Sequence, residues 1–293
     1  MFPRKPYVVP LSDGRALHLG GRTVVMGIIN VTPDSFADAG LRYDPPRAIA
    51  AGLEMEAAGA EILDVGGEST RPGAEPVSAD EEVARVLPVI EGLVRQVRIP
   101  ISIDTYKAPV AAATLDAGAV MVNDISGLRY DRTLADVAAS WGAALVLMHN
   151  RGRSRDIYRE AVYAALSSDV ATELRTALDT ALASGVGAEH VVLDPGLGFA
   201  KRAEHSYAIL AQLHSLASLD RPLLVGPSRK SFLLASLGEL SPERRDWGTA
   251  AAVTAAVCAG AHIVRVHAVR EMVQVVRVAD ALRRYREAFQ PLS

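Results

Sequence analysis

"AGAEILDVGGESTRPG" occupies residues 58–73, and three kinds of segment meet in it. Gly59-Ala60 closes an alanine-rich helical stretch, because glycine accepts the left-handed conformation that ends a helix. "EILDVGG" follows as an apolar run of strand length, and "ESTRPG" as a polar loop bearing proline and glycine. A strand that is apolar at nearly every position is buried on both faces, which is the signature of a parallel sheet.

The same unit recurs in both directions. Apolar runs stand at "VVMGIIN" (24–30), "EILDVGG" (61–67), "PISIDT" (100–105), "VMVNDIS" (120–126), "ALVLMH" (144–149), "VVLDPG" (191–196), "PLLVGPS" (222–228) and "HIVRVH" (262–267). Segments with helical spacing lie between them, such as "PPRAIAAGLEMEAAGA" and "SADEEVARVLPVIEGLVRQV". Gly118-Ala119, Gly142-Ala143 and Gly260-Ala261 repeat the stop of Gly59-Ala60. Eight strand–helix units in this length predict a (β/α)8 TIM barrel, which needs roughly 250 residues. A doubly wound open sheet is the alternative, but it would show fewer strands and a glycine-rich dinucleotide turn, and neither GxGxxG nor a Walker A sequence is present. Residues 1–20 read as a β-hairpin around Asp13-Gly14. The regular repeat leaves no linker, so residues 21–293 form one domain.

Composition narrows the function. Of 293 residues, 49 % are hydrophobic and 22 % charged, as in a soluble globular protein. A formal charge of −3 argues against a nucleic-acid binder, which would carry a basic face. The single cysteine, Cys258, has no internal disulfide partner. The start "MFPRKPYVVP" lacks the apolar core of a signal peptide, and no window holds the roughly 20 apolar residues of a membrane span. A reduced, cytoplasmic setting is expected.

In such barrels catalytic groups gather at the C-terminal ends of the strands. Here the ends carry Asn30, "ESTRPG", Asp104, Asn123 with Asp124, Met148 with His149, Asp194, "SRK" (228–230), and Arg265 with His267. A lone Asp at a strand end is more often a helix cap, and Asp64 and Asp124 are assigned to that role. His149 reads equally well as a satisfied structural histidine. Capping does not account for Asp104, Asn123, Asp194 and Lys230 converging from four strands. Their acceptors, amide and ammonium suit a flat heterocycle edged with N–H donors and ring nitrogens. Arg71, Arg265 and His267 offer donors suited to phosphate, and Arg265 and His267 share one strand face by the two-residue period. Asn30 could add a metal ligand or a further phosphate contact. The run "RGRSR" (151–155) reads as a solvated loop.

With these residues on the page, the chain closely resembles the dihydropteroate synthases of folate biosynthesis, the targets of sulfonamides. The matching motifs are "MGIINVTPDSF", "DVGGESTRPG", "ISIDTYK", "NDISG", "LMH", "DPGLGFAK", "GPSRKSF" and "GAHIVRVH", in the family's order and over nearly the whole chain after residue 20. The resemblance implies condensation of 6-hydroxymethyl-7,8-dihydropterin diphosphate with p-aminobenzoate. It implies a pterin pocket of Asp104, Asn123, Asp194 and Lys230, with Ile125 and Met148 packing on the ring. A diphosphate site would comprise Asn30, Thr70, Arg71, Arg265 and His267, with Mg2+ near Asn30. The p-aminobenzoate site would use Phe36, Pro72, Phe199 and Ser228, and Asp34 would stabilise a cationic carbon. Asp104, Asp194, Lys230, Arg265 and His267 would be the catalytic core, and Arg229 a structural ion-pair partner. A homodimer is the family expectation. One departure is Ala268, where the family often has Asp, which costs a helix cap rather than a catalytic group.

Overall fold

The structure, a computed structural model, describes residues 4–32, 44–69, 74–152 and 158–288. The chain opens with strands β1 (Tyr7–Pro10) and β2 (Ala16–Leu19), which pair antiparallel. Eight parallel strands follow: β3 (Val24–Asn30), β4 (Ile62–Gly66), β5 (Ile101–Asp104), β6 (Met121–Asp124), β7 (Ala144–Met148), β8 (Val191–Asp194), β9 (Leu224–Val225) and β10 (Ile263–Val266). They run in the order β8-β7-β6-β5-β4-β3-β10-β9. A bridge between Leu193 and Leu223 brings β8 back to β9 and closes the ring. The eight expected strands and the N-terminal hairpin are all present.

The helices are α1 (Pro45–Ala57), α2 (Ala79–Val94), α3 (Ala108–Asp116), α4 (Thr133–Trp141), α5 (Leu166–Ala183), α6 (Ala203–Ala211), the short α7 (Leu234–Leu237), α8 (Asp246–Cys258) and α9 (Val269–Ala288). Local chemistry places their ends. Ser78 accepts a hydrogen bond from the Glu81 amide at the start of α2, and Asp80, Glu81 and Glu82 complement the positive end of its dipole. Gly142 ends α4 in the left-handed conformation (φ 60°), and Gly59, Gly118 and Gly260 also have positive φ at the expected stops. Ala268 immediately precedes α9 without a capping side chain of its own.

Alternation along each strand divides the core in two. Leu63, Ile103, Val122, Leu145, Leu193, Val225 and Val264 face the helices. Ile62, Met121, Val146, Val192, Leu224 and Ile263 face the barrel axis, together with Val24 and Met26. Val9, Leu11, Leu17 and Leu19 of the hairpin join that axial cluster, so the hairpin plugs the barrel at the N-terminal ends of its strands. A plugged lower end leaves the upper end as the open mouth.

β9 is the shortest strand of the ring. "PLLVGPS" was expected to run as a strand, but only Leu224 and Val225 have ladder geometry. Pro222 and Pro227 donate no amide hydrogen, so the ladder cannot extend through either.

Candidate active site

The rule that positions the site is simple. Two residues beyond the axial apolar layer, each strand presents its next inward side chain, and there the chemistry changes. Ile62 is followed by Asp64, Ser102 by Asp104, Met121 by Asn123, Val146 by Met148, Val192 by Asp194, Leu224 by Gly226 and Ile263 by Arg265. A floor that is apolar except for Ser102 thus carries a ring that is polar except for Met148 and Gly226.

Arg265 is the hub of that ring. Its Nε donates to Asp64 Oδ2 at 2.5 Å and its Nη2 to Asp104 Oδ2 at 2.6 Å. Asp64 also accepts from Asn123 Nδ2 at 2.9 Å. Asp64 is therefore no helix cap, contrary to the sequence expectation: β4 turns it into the barrel, where it is fully buried and pairs with charge. It was legible in principle, because it shares the parity of Asp104 and Asn123. Strand pairing sets Asp64 beside Ser102 and Gly66 beside Asp104, so Asp64 lies one layer beneath Asp104. The two expected subsites accordingly meet at one guanidinium.

Asp124 does keep a capping role, over a turn rather than a helix. Its carboxylate accepts from the amides of Ser126 (2.7 Å) and Leu128 (2.6 Å), and burial pushes its pKa up to about 6. Burial likewise raises Asp104, against the opposing pull of Arg265. Burial raises Asp194 too, while Lys230 and the Gly196 amide oppose it.

Lys230 comes in from the loop after β9. Its Nζ donates to the Leu197 carbonyl at 2.6 Å and lies 4.6 Å from the centre of the Phe199 ring. Burial lowers its pKa to about 8, although Asp194 holds part of the charge. Arg229, its neighbour, turns the other way into a two-pronged ion pair with Asp246 at the start of α8, each contact 2.8 Å, as expected of a structural partner. Ile125 and Met148 are buried apolar residues at the ends of β6 and β7.

His267 forms the other side of the mouth. Asn30 Nδ2 lies 3.4 Å from its Nε2, and Ser228 Oγ lies 2.9 Å from its Nδ1 and accepts from its backbone amide at 3.1 Å. Ser228, expected beside p-aminobenzoate, is thus tied into the group around His267. The hydroxyls on the open cavity of about 380 Å³ are those of Ser231 and Tyr158, with Lys201, Arg202, Ala203 and Phe232. Asp34, Phe36, Thr70, Arg71 and Pro72 lie outside the described residues.

Two groups beneath the site carry functional weight that the sequence reading did not assign. Lys201 is only 1 % exposed, and its Nζ contacts His149 Nδ1 at 2.7 Å and the Phe199 carbonyl at 3.1 Å. Burial holds its ammonium well below the ordinary lysine range. The second is Glu173, whose Oε2 stands 3.3 Å from His149 Nε2. Arg151 donates to Glu173 at 2.8 and 2.5 Å, so the first arginine of "RGRSR" is a structural ion-pair partner rather than part of a solvated loop.

A family model described as "pterin binding enzyme" matches residues 26–267. The chain belongs to the pterin-binding enzyme family. It is 48 % identical over 274 residues to a dihydropteroate synthase of Synechocystis sp., covering 93 % of this chain and 95 % of that one. A solved dihydropteroate synthase of Xanthomonas albilineans, with 4-aminobenzoic acid, is 39 % identical at a TM-score of 0.87, covering 97 % of this chain and all of that one. A Yersinia pestis dihydropteroate synthase in complex with a sulfonamide drug has the same identity and TM-score, over 92 % of this chain and 98 % of that one. Family membership explains why the polar ring has a heterocycle's complement of donors and acceptors. Among the described residues no helix is long and apolar enough to cross a membrane.

Proposed function

We infer that this chain is a dihydropteroate synthase, which condenses 6-hydroxymethyl-7,8-dihydropterin diphosphate with p-aminobenzoate to give 7,8-dihydropteroate and diphosphate in folate biosynthesis. The observation that carries the reading is the convergence of Asp104, Asn123, Asp194 and Lys230 beside Arg265 and His267, in a family member similar to synthases over nearly its whole length. Buried carboxylates accept from the pterin's N–H edge, Asn123 both donates and accepts, and Lys230 donates to a ring acceptor. A base-paired edge of this kind is specific because any mismatched group would leave buried polar atoms unpaired.

The bond that breaks joins the pterin methylene carbon to diphosphate. Negative charge grows on the departing oxygen, and Arg265, His267 and Arg71 act by stabilising it. Asp34 stabilises the positive charge left on the methylene carbon. The neutral arylamine nitrogen then supplies its lone pair to that carbon and loses a proton. Phe36, Pro72 and Phe199 hold the aryl ring.

Mg2+ is proposed as the metal. No cluster of three or more His, Cys, Asp or Glu fit to hold a metal occurs among the described residues. Mg2+ is usually held by one or two protein oxygens, waters and substrate phosphates. With its amide nitrogen on His267, Asn30 keeps a carbonyl oxygen for such an ion. When bound, Mg2+ would neutralise charge on the leaving diphosphate. Sulfonamides would compete at the p-aminobenzoate pocket. A homodimer and a cytoplasmic location complete the proposal. Trp247 on α8 (88 % exposed) and Val278 and Leu282 on α9 are exposed apolar side chains that a second copy would cover.

A steady-state assay with the two substrates tests the reading. Dihydropteroate and diphosphate should form in equal amounts and depend on both substrates. A folded enzyme that binds the pterin but releases no diphosphate would refute it.

A further inference from the structure

A buried lysine with no carboxylate partner is a costly choice where leucine or methionine would pack. Lys201 makes that choice. Among the largest fully buried side chains it is the one that is charged in water, and its hydrogen-bond contacts are to a ring nitrogen and a backbone carbonyl. Two donors of a neutral amine satisfy both contacts. At the other end of the imidazole it meets, Glu173 Oε2 stands 3.3 Å from Nε2 as a charge contact rather than a hydrogen bond, and Arg151 and Arg129 hold that carboxylate in turn. His149 Nδ1 accepts from Lys201, so its Nε2–H lies on the side of the Glu173 carboxylate. The chain Lys201–His149–Glu173 is therefore a braced strut running from α5 to the β8 loop.

What the strut holds is strained. Between Asp194 and Lys201, Gly196, Gly198 and Ala200 all have positive φ, and at Ala200 (φ 46°) the side chain makes this costly. A strained loop persists only where its surroundings over-determine it. Here three backbone groups are held from outside the loop and a fourth by Lys201 at its end. The Phe199 carbonyl takes Lys201 and the Ala200 carbonyl takes the Tyr163 hydroxyl at 2.8 Å. Lys230 occupies the Leu197 carbonyl, and the Gly198 amide donates to Ser206 at 3.1 Å. The side chain so placed is Phe199, whose ring stands against the Lys230 ammonium. Lys201 also lines the open cavity bounded by Tyr158, Arg202, Ala203, Ser231 and Phe232.

We propose that Lys201 is a positioning residue for the synthase reaction: through the Phe199 carbonyl and His149 it holds the strained β8 loop so that the arylamine pocket is set in register with the pterin pocket. The proposal rests on the assignment of Phe199 to p-aminobenzoate. It predicts a selective defect, because Lys201 bonds Phe199 directly, while Asp194 and Lys230 are anchored earlier in the loop, at Gly196 and Leu197.

Lys201→Met is the test, since it keeps the volume and removes both donors. The variant should fold, with a far-ultraviolet spectrum like that of the parent. Its affinity for dihydropterin diphosphate, read by calorimetry, should stay within threefold. Its KM for p-aminobenzoate should rise at least tenfold, and kcat should fall. Unchanged KM and kcat would overturn the proposal, and so would equal losses toward both substrates. If Lys201→Met does not fold, Tyr163→Phe decides: it frees the Ala200 carbonyl at the loop's far end and should raise the same KM at least threefold, with pterin affinity held. No effect there would overturn the proposal. Turnover by the parent enzyme separates this outcome from failure of the synthase reading, which would appear as inactivity of the parent itself.

Discussion

Lys230 and Arg265 illustrate how burial turns single charges into chemistry. A folded pKa of about 8 for Lys230 lies below the lysine reference, so its ammonium is complete below pH 8 and lost as pH rises through that value. On the proposed reading, the contact of Lys230 with pterin needs the protonated form, and kcat/KM for the pterin should therefore fall on an alkaline limb near pH 8. Lys230→Arg should lower kcat/KM but move that limb upward, since guanidinium stays charged; a limb left in place would assign it to another group. Arg265 has a wider reach. Arg265→Ala leaves Asp64 and Asp104 buried without their shared cation, a change that costs roughly 3–5 kcal/mol when a buried pair is broken. Activity should fall as well, by about 2–4 kcal/mol in kcat/KM, with loss in kcat because leaving-group charge grows in the transition state. Because Arg265 also helps keep Asp104 ionised, a pterin lacking the diphosphate should bind at least tenfold more weakly. Calorimetry showing unchanged affinity for that truncated pterin would confine Arg265 to the leaving group.

At the scale of elements, the loop after β8 transmits strand geometry to the site. Gly196 stands at φ 69°, and a Cβ there would lie 2.0 Å from the His149 carbonyl oxygen, a backbone atom that cannot swing aside. Its amide donates to Asp194 Oδ1 at 2.7 Å. Gly196→Ala should therefore lower Tm by several degrees, since the left-handed conformation alone costs about 1–2 kcal/mol. It should weaken pterin binding in the same variant by releasing Asp194, and a stable variant with intact affinity would show that the loop tolerates another path. The strands and the glycine stops were legible in the sequence because burial on both faces and a left-handed helix end each demand particular residues. Asp104, Asn123, Asp194 and Lys230 were legible for a related reason: strand ends of a barrel share one mouth. Asp64 shares the parity of Asp104, yet a cap and an ion pair both want an acid near a strand end, and only the curvature of the sheet across β3 brings Arg265 from β10 to it. Lys201 was hidden in the motif "DPGLGFAK", since a lysine next to a helix start reads as solvated until the fold covers it. β9 was over-extended because apolar content outran the two prolines that limit its ladder.

The whole molecule is tied at the end opposite its mouth. Arg4, with a buried side chain, bonds the Gly20 and Ala261 carbonyls, Thr23 and Asp280, so the first described residue meets the last helix beneath the barrel. His262 belongs to the same closure. Its Nδ1 accepts from the Leu223 amide at 3.1 Å, its Nε2 lies 3.0 Å from the Lys5 carbonyl, and the Tyr7 ring packs against it edge-on. Nδ1 as acceptor and Nε2–H as donor require the neutral ring. Burial lowers its pKa to about 4, and Arg4 and Arg283 add to the effect while the Lys5 carbonyl opposes it. The folded value lies below the unfolded value near 6.5, so the unfolded chain takes up a proton that the folded one refuses. Stability from this group is complete above pH 6.5 and is lost as pH falls toward 4, to a total of about 3 kcal/mol. Asp124, with its pKa raised to about 6, acts in the opposite sense as pH falls, so the total stability of the parent is a blunt readout. The difference between parent and His262→Gln is a sharp one. Glutamine can accept from Leu223 and donate to Lys5 without titrating, and every other group is common to both proteins. His262→Gln should be the less stable at pH 7.5, from lost packing with Tyr7, and the gap should close by about 2 kcal/mol at pH 4.5. Urea unfolding at the two pH values measures it. A gap that is the same at both would mean that His262 titrates alike in the folded and unfolded chain. Activity per folded molecule at pH 7.5 should be that of the parent, because the closure lies at the far end of the barrel from Asp104, Asp194 and Lys230.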